Sequence, residues 1–218
     1  MNNLLIVIPA LNEEKTIGKI LTSITSKFNT LVVSDGSTDK TEDVSRSFGA
    51  EVLSLTKKHG VDYAINKAFF YAAKKGYSKI ITIDADGQHD VDDLFKISKM
   101  INEDNVDIVI SQRNKFPRFS EKLFSLYTKK KINVPDLLSG LKGYKIDLFL
   151  KYGAYDTFSS IGTELSFYAV KNKFNYKLIN IKVKERQDNP RIGGVLQSNL
   201  KIIRALTILM YRNFFKKI

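Results

Sequence analysis

The sequence predicts an α/β protein with a mostly parallel sheet and helices on both of its faces. Short apolar runs such as LLIVIPA (Leu4–Ala10) are typical of strands buried on both sides. Up to about residue 110 they alternate with segments of helical periodicity, which is the pattern of a parallel sheet. At 218 residues the chain has room for one full-sized domain.

The first half divides into strands and helices in a regular order. Strands are predicted at 4–10, 30–35, 50–55, 79–86 and 106–113. Helices are predicted between them, at 12–28, about 38–48, 61–76 and 91–102. The second half is less regular. Its predicted elements are a basic helix at 119–133, a strand-like piece leading into a helix at 136–153, a helix at 162–174, an alternating strand at 176–185 and a final helix at 195–218.

Charge and composition limit the partners. The chain has 35 Lys and Arg against 23 Asp and Glu, a net charge of +12, which favours an anionic partner such as a nucleotide, a nucleic acid or acidic lipid. Without cysteine, a disulfide framework and a Cys-ligated metal site are excluded. There is no leader pattern, and no apolar run approaches the roughly 20 residues of a membrane-spanning helix. We expect a cytoplasmic protein, soluble or at the inner face of the cell membrane.

Acidic and small residues gather where the predicted strands end. In parallel sheets ligands bind beyond the carboxyl ends of the strands, so these residues predict a binding site. The segments are Pro9-Ala10-Leu11-Asn12-Glu13, Ser34-Asp35-Gly36-Ser37, Asp84-Ala85-Asp86 and Ser111-Gln112-Arg113.

Asp84 and Asp86 are the strongest metal-ligand candidates. Just past a strand end, where the backbone turns, two carboxylates one residue apart can reach a common ion. Oxygen ligands suit Mg²⁺ or Mn²⁺, and Mg²⁺ typically combines one or two carboxylates with substrate phosphates. The alternative is a solvated turn in which Asp90 caps the helix that follows.

Four segments in this order, VIPALNEEKTI, VVSDGSTDKT, IITIDADGQHD and DIVISQR, resemble family 2 glycosyltransferases, the inverting enzymes of the GT-A fold. The branch with dolichol-phosphate mannosyltransferases and bacterial polyprenyl-phosphate glycosyltransferases is the most similar. The resemblance runs from about Leu4 to Gly194. It implies one GT-A domain over 1–218, with a nucleotide-sugar half (1–114), an acceptor half (115–194) and a C-terminal amphipathic helix (195–218).

The resemblance also implies roles for residues that bind the donor. Asp35 would receive the base or ribose, and Asp84 and Asp86 would straddle the sugar-diphosphate. Asp86 would be the principal metal ligand, with Gln88 as a further one, and Arg113 would meet the diphosphate or the acceptor. Around the nucleotide, the resemblance places Pro9, Ala10, Asn12, Glu13, Gly36, Ser37 and Ala85.

In the second half, DLLSGLKGYKIDLF resembles the family segment D-x-x-S-G-F-R-x-Y, which places Asp136, Ser139 and Gly140 near the acceptor. Lys142 stands where arginine is usual, which keeps the charge but loses the bidentate fork. A hydroxyl acceptor needs a general base, for which Glu164 and Asp136 are the candidates. A lipid monophosphate needs little help, since it is already largely a dianion at neutral pH.

The loop RQDNPRIGG resembles a family loop that closes over the diphosphate, which would make Arg186 and Arg191 part of a lid. It does not reproduce the usual R-x-x-G-x-S-K pattern, and a solvated basic turn is the alternative. We interpret His89 as a contact of solvent or of a metal ligand rather than of the metal itself.

The final helix combines an apolar face with basic residues. We expect its first half to pack on the sheet and the Tyr211–Ile218 end, with Lys216 and Lys217, to lie near a membrane. The apolar face comprises Leu196, Leu200, Ile203, Leu206, Met210 and Phe214.

The predicted function is therefore metal-dependent transfer of a sugar from a UDP- or GDP-sugar to a polyprenyl phosphate or a cell-surface glycan. One alternative is a nucleotide-sugar-binding protein or nucleotidyltransferase of similar fold. A nucleotidyltransferase should carry a Gly-rich loop after the first strand, where this chain has PALNEE. Another is a nucleic-acid binder, which acids at the strand ends and the lack of a known motif disfavour.

Overall fold

The structure, a computed structural model, describes residues 3–184 and 195–215. Within these residues one sheet carries helices on both faces, which confirms the predicted fold class. The strands are β1 (Leu4–Ala10), β2 (Asn29–Asp35), β3 (Glu51–Leu55), β4 (Lys79–Thr82), β5 (Ile108–Arg113), β6 (Lys142–Lys145) and β7 (Tyr176–Ile181). The helices are α1 (Ile17–Ile24), α2 (Thr41–Ser47), α3 (Val61–Lys74), α4 (Val91–Ile101), α5 (Phe119–Ile132), α6 (Ile146–Tyr152), α7 (Glu164–Lys171) and α8 (Val195–Phe214).

The strand order is β3-β2-β1-β4-β6-β5-β7. Strand β1 pairs in parallel with both β2 and β4, so Val7 lies between Leu31 and Thr82. From β1 the chain builds the sheet first in one direction and then in the other, which makes the β1–β4 boundary the topological switch point. Strand β6 is antiparallel and lies between β4 and β5, with Gly143 opposite Ile81 and Val109. The sequence predicted a strand-like piece at this place but not its reversed direction.

Alternating residues of each strand feed two hydrophobic layers. Leu5 and Val7 of β1 face a layer formed with α3, α5, α6, α7 and α8. Ile6 and Ile8 face the opposite layer, formed chiefly with α1 and α4. Because both faces of β1 are covered, its sequence is apolar throughout, as expected for a buried parallel strand.

Several predicted elements are shorter than expected, and two of these changes bear on the site. Helix α1 begins at Ile17 rather than at residue 12. Asn12 has a left-handed backbone (φ 54°), which does not fit an α-helix. The Glu13 amide donates to the side-chain hydroxyl of Thr41. Strand β4 ends at Thr82, so the residues that follow it up to Asp86 lie beyond the sheet.

In helix α8, burial differs between the two faces of the helix and not between its first and second halves. Ile202, Ala205 and Leu209 are buried against the protein, whereas Leu196 and Leu200 are 74% and 58% exposed. The prediction that the first half packs and only the end is free was therefore wrong. Among the described residues, no helix combines the length and apolar character needed to cross a bilayer.

Gly143 lies where helix α4 crosses β6. A Cβ at this position would lie 2.9 Å from Ile97 Cγ2, closer than carbon atoms approach without displacement. We expect Gly143→Ala to lower the free energy of unfolding by about 1–3 kcal/mol, the usual cost of an overpacked core. Urea denaturation measures this loss.

Ile97→Leu removes the β-branch methyl that causes the clash. In the Gly143→Ala background it should restore most of the lost stability, giving a non-additive pair. Strict additivity of the two changes would contradict this packing.

Candidate active site

The predicted strand-end segments meet at one edge of the sheet. Strands β1, β2 and β4 are parallel, and β5 runs in the same direction because β6 is antiparallel to both β4 and β5. The carboxyl ends of these four strands therefore lie at one edge of the sheet. Antiparallel β6 starts at that same edge, where Lys142 is opposite Thr82 and Ile110. The loop 136–141 that enters β6 is therefore brought to the switch point between β1 and β4, the usual place for a ligand in such sheets.

Asp84 lies against this loop. Gly140 approaches its carboxylate so closely that a Cβ there would be 2.2 Å from Oδ2, and Thr82 Oγ1 donates to the Gly140 carbonyl at 2.7 Å. His89 Nε2 lies 3.2 Å from Asp84 Oδ2, so the histidine contacts a predicted metal ligand. Desolvation acts to raise the pKa of Asp84, but His89 and the positive charges of Arg113 and Lys142 together hold it below its usual range. Asp84 is therefore anionic at neutral pH.

Asp86 has a different set of neighbours from Asp84. It lines a groove of about 710 Å³ between α1 and α4, together with Lys19, Phe95 and Lys184. Its Oδ1 accepts from the backbone amide of Gln88 at 3.1 Å. The Gln88 side chain donates through Nε2 to the Lys184 carbonyl at 3.2 Å, whereas a metal would be bound by the other atom of the amide, Oε1.

Asp90 caps α4, as the sequence suggested. Its side chain accepts from the Asp92 amide at 3.1 Å and also pairs with Lys184 Nζ at 3.1 Å. The 87–90 loop is thus fixed at its end by the helix cap and by Lys184.

Asp35 is buried and held by backbone donors. Its two carboxylate oxygens accept from the amides of His59 and Gly60, each at 2.7 Å. Gly36 lies against the same loop, since a Cβ there would be 2.7 Å from the backbone of Lys57 and Lys58. The loop follows β3, whose end was not among the predicted site segments. The nearest feature of the sequence is the run KKHG, which begins two residues after that strand ends and whose side chains do not mark the donating amides.

The segment after β1 is tied to the one after β2. Asn12 Oδ1 accepts from the Thr38 amide at 2.8 Å, and the Asn12 amide donates to Ser37 Oγ at 3.1 Å. Glu13 is buried and accepts from Thr16 Oγ1 at 2.5 Å, so its carboxylate faces the protein. Pro9 and Ala10 are the last residues of β1, where Ala10 is buried opposite Ser34. Ala85 is buried too, between the two aspartates.

Arg113 and Asp136 are brought together, but chiefly with each other. Arg113 Nε and Nη2 donate to Asp136 Oδ2 and Oδ1 at 2.7 and 3.1 Å, a bidentate pair. Arg113 Nη1 also lies 3.6 Å from Glu121. The side chain of Arg113 is only 17% exposed and that of Asp136 1%. To bind a diphosphate or act as a base, either residue would first have to exchange these partners.

Glu164 starts α7 and is fully buried. Its carboxylate accepts from Tyr152 Oη at 2.5 Å, from the amide and hydroxyl of Thr157, and from Arg212 Nη1 at 3.0 Å. Arg212 belongs to α8, so this carboxylate ties the last helix to the loop before α7. Arg186 and Arg191, the predicted lid residues, lie outside the described residues.

Comparison with known proteins decides the family. Residues 5–158 match the model described as glycosyl transferase family 2, which is more than two thirds of the 218 residues. The chain belongs to glycosyl transferase family 2. This confirms the resemblance seen in the sequence, and the protein is a glycosyltransferase by family.

The individual relatives described below have sequence identities of 20–34% to this chain. The transferase is 26% identical to the UDP-N-acetylglucosamine–dolichyl-phosphate N-acetylglucosaminyltransferase of Methanococcus voltae, over 94% of each chain. It is 34% identical to an uncharacterized protein of Methanocaldococcus jannaschii, over 51% of this chain and 47% of that protein, so it spans about half the length of that relative. In fold it is similar to glucosyl-3-phosphoglycerate synthase of Mycobacterium tuberculosis, solved with Mn²⁺, UDP and glucosyl-3-phosphoglycerate. The TM-score is 0.72 at 20% identity, over 96% of this chain and 79% of that one.

Behind the site the transferase buries several charges. Lys142 is 1% exposed and donates to the carbonyls of Leu137 and Gly162 at 2.6 and 2.8 Å, so it joins the 136–141 loop to the segment before α7. Burial lowers the pKa of Lys142 to about 8, against the attraction of Asp136, Asp62 and Asp84. Burial, together with the negative charge of Asp156, raises the pKa of Asp62 to about 7.

The Arg113–Asp136 pair predicts a large stability effect. We expect Asp136→Asn to lower the free energy of unfolding by about 3 kcal/mol, because it leaves Arg113 with a partly buried, poorly compensated charge. The matched control is Glu103→Gln, which breaks the ion pair with Lys177. The side chains of Glu103 and Lys177 are 46% and 40% exposed. Glu103→Gln should cost less than about 1 kcal/mol. Equal losses in urea denaturation of the two variants would contradict the buried pair.

Asp62 predicts a pH dependence of stability. Its folded-state pKa of about 7 lies above the ordinary 3.8, so the folded protein holds a proton that the unfolded chain has released. The stabilisation of the folded state by this proton is fully present below about pH 4 and is lost as the pH rises through about 7. The free energy of unfolding should therefore decrease between about pH 4 and pH 7, and in Asp62→Asn this decrease should be smaller by at least about 1 kcal/mol. The neighbouring groups Asp156, Lys142 and Tyr155 remain in place.

The measurement is the free energy of unfolding of both proteins at intervals between pH 4 and pH 8. Asp43→Asn, at an exposed position of α2, is the control and should leave the slope unchanged. An identical slope in wild type and Asp62→Asn would show that Asp62 is already ionised in the folded protein.

Proposed function

We propose that the protein is an inverting glycosyltransferase that transfers a sugar from a nucleotide-diphosphate sugar to a polyprenyl phosphate, using Mg²⁺ or Mn²⁺. The observation that carries this proposal is the position of Asp84 and Asp86. They stand just beyond β4 at the switch point of the sheet, with Asp84 anionic beside Gly140. The family membership supports transfer of a glycosyl group.

The residues fit a divalent ion of the Mg²⁺ type. In residues 3–184 and 195–215, no group of three or more His, Asp or Glu side chains is arranged to hold a metal by itself. Two aspartates that leave the remaining ligands to substrate phosphates suit Mg²⁺ and Mn²⁺ better than a site built wholly from protein groups. When bound, such an ion would offset the negative charge that develops on the departing nucleoside diphosphate.

For the donor, the proposal relies on the joined ends of β1 and β2. Asp35 is oriented by two backbone amides, and Asn12 fixes the Ser37–Thr38 turn beside it. A base or ribose bound there would place its diphosphate toward Asp84 and Asp86, which follow β4, the strand next to β1 and two strands from β2. These contacts support a nucleotide and leave UDP and GDP as equal candidates.

For the acceptor, a phosphate monoester suits the observed hydrogen bonding better than a hydroxyl. The two base candidates, Asp136 and Glu164, are both buried and engaged by donors on their carboxylates. An acceptor phosphate oxygen, already deprotonated, would form the new bond to the anomeric carbon as the bond to the nucleoside diphosphate breaks. No proton then has to be removed. The name of the Methanococcus voltae relative, which includes a dolichyl-phosphate acceptor, supports the same choice.

The test is calorimetric titration of UDP, GDP and their sugars with and without Mn²⁺, followed by product analysis with short polyprenyl phosphates. We expect diphosphate binding that requires the metal. Asp86→Ala should weaken it at least about tenfold, since each 1.4 kcal/mol of lost binding is tenfold in affinity.

Asp104→Ala is the matched control, because Asp104 is an exposed acid in the turn that follows α4, at the opposite end of that helix from Asp86. It should leave donor affinity unchanged. Metal-independent binding that survives Asp86→Ala would count against the proposed site. Transfer to a soluble glycan but not to polyprenyl phosphate would keep the site and replace the acceptor.

A further inference from the structure

Helix α8 carries a second apolar stripe, on the side that faces away from the core. Leu196, Leu200, Ile203, Met210 and Phe214 recur at intervals of three, four or seven residues and are 40–79% exposed. Helical spacing places them on one side of the helix along nearly its whole length. This stripe is separate from the buried face formed by Ile202, Ala205, Leu206 and Leu209.

Helix α5 extends the stripe into a two-helix surface. It packs beside α8, with Ser120 bonded to Asn199 at one end and Tyr127 to Asn213 at the other. On α5, Phe119, Leu123 and Leu126 are 69%, 37% and 66% exposed. Helical positions place them next to the line of contact with α8, as the α8 stripe also is. We call these eight exposed residues of α5 and α8 the α5–α8 face.

The charges on these two helices have one sign. The sequence of α8 has no acidic residue, and the only acid of α5 is Glu121, which is buried and paired with Arg118. The exposed basic residues Lys122, Lys129, Lys130, Lys131, Lys201 and Arg204 lie on the same two helices. An apolar stripe bordered by cations matches an anionic lipid surface, where apolar side chains enter the acyl boundary and cations meet headgroups.

We infer that the α5–α8 face is a docking surface for a bilayer containing anionic lipid. The surface includes α5 and the full length of α8, not the end of the chain alone. This inference rests on the proposed function in one respect only: docking at a bilayer would bring the protein to a lipid-linked acceptor. Its position fits that purpose: α5 starts beside the site edge, where Glu121 lies 3.6 Å from Arg113 and Phe119 begins the exposed stripe.

Helix α8 is also attached to the segment before α7. Arg204 donates to the Phe158 carbonyl at 3.2 Å, and Arg212 donates to Thr157 and Glu164 at 2.8 and 3.0 Å. The guanidinium of Arg212 lies 4.5 Å from the centre of the Phe158 ring. These bonds hold α8 on the protein by its polar side, so its apolar stripe can enter a bilayer without the helix leaving the domain.

The experiment is co-sedimentation of the full chain with vesicles of phosphatidylcholine alone or with about one third phosphatidylglycerol. We expect binding to the anionic vesicles that weakens with salt. The double variant Leu126→Glu, Leu200→Glu should bind at least about tenfold more weakly, because it puts two charges into the apolar stripe. Lys129, Lys130 and Lys131 changed together to Gln should lose a similar factor on anionic vesicles only.

Leu150→Glu is the matched control, since Leu150 is 59% exposed but lies on α6. Circular dichroism and UDP titration with Mn²⁺ should be the same for all variants, which separates docking from folding and from donor binding. If the proposed function fails, vesicle binding is unaffected by that result. Three outcomes would overturn the docking surface: no binding by the wild type, undiminished binding by the double variant, or a wild-type dimer in solution that Leu126→Glu, Leu200→Glu dissociates.

Discussion

The approach of the Gly140 backbone to the Asp84 carboxylate is the contact on which the site depends. It exists because β6 runs antiparallel between β4 and β5, which brings the loop before β6 to the edge where the parallel strands end. Any side chain at residue 140 would occupy the position of the carboxylate oxygens. The second half of the chain therefore completes a site that the first half begins, and Asp84 is positioned by backbone on one side and by His89 on the other.

A buried electrostatic network supports that loop from behind. Asp136 receives Arg113, and Lys142 joins the carbonyls of Leu137 and Gly162 with an ammonium group that has almost no access to water. Such groups are costly to bury, and they persist only where their hydrogen bonds are satisfied. The network fixes the relative positions of the 136–141 loop and the segment before α7. It also explains why Asp136 and Glu164, which by sequence are candidates for catalysis, are surrounded by donors of the protein itself.

The sequence predicted the parallel strands and the position of Asp84 and Asp86 beyond a strand end, because a strand buried on both faces is a local apolar run and a strand end is a local change of residue type. It failed where the cause is not local. For β6, with the sequence KGYK, the sequence predicts only a strand-like piece within 136–153, because the bounds of this strand and its reversed direction are set by pairing with β4 and β5 on both sides. The partners of Asp35 were missed because they are backbone amides of His59 and Gly60, which no side-chain motif records.

Helix α8 shows a further limit of periodicity. Its apolar residues cover a broad arc, and a helical pattern cannot tell which part of the arc meets the core and which part is left outside. Asn199 and Asn213 settle this in the structure, since their bonds to Ser120 and Tyr127 fix the rotation of α8 against α5. Once that rotation is fixed, burial of Ala205 and Leu209 requires Leu200 and Phe214 to point outward. The polar contacts of the helix therefore determine where its apolar surface lies, and with it the face that the protein can offer to a membrane.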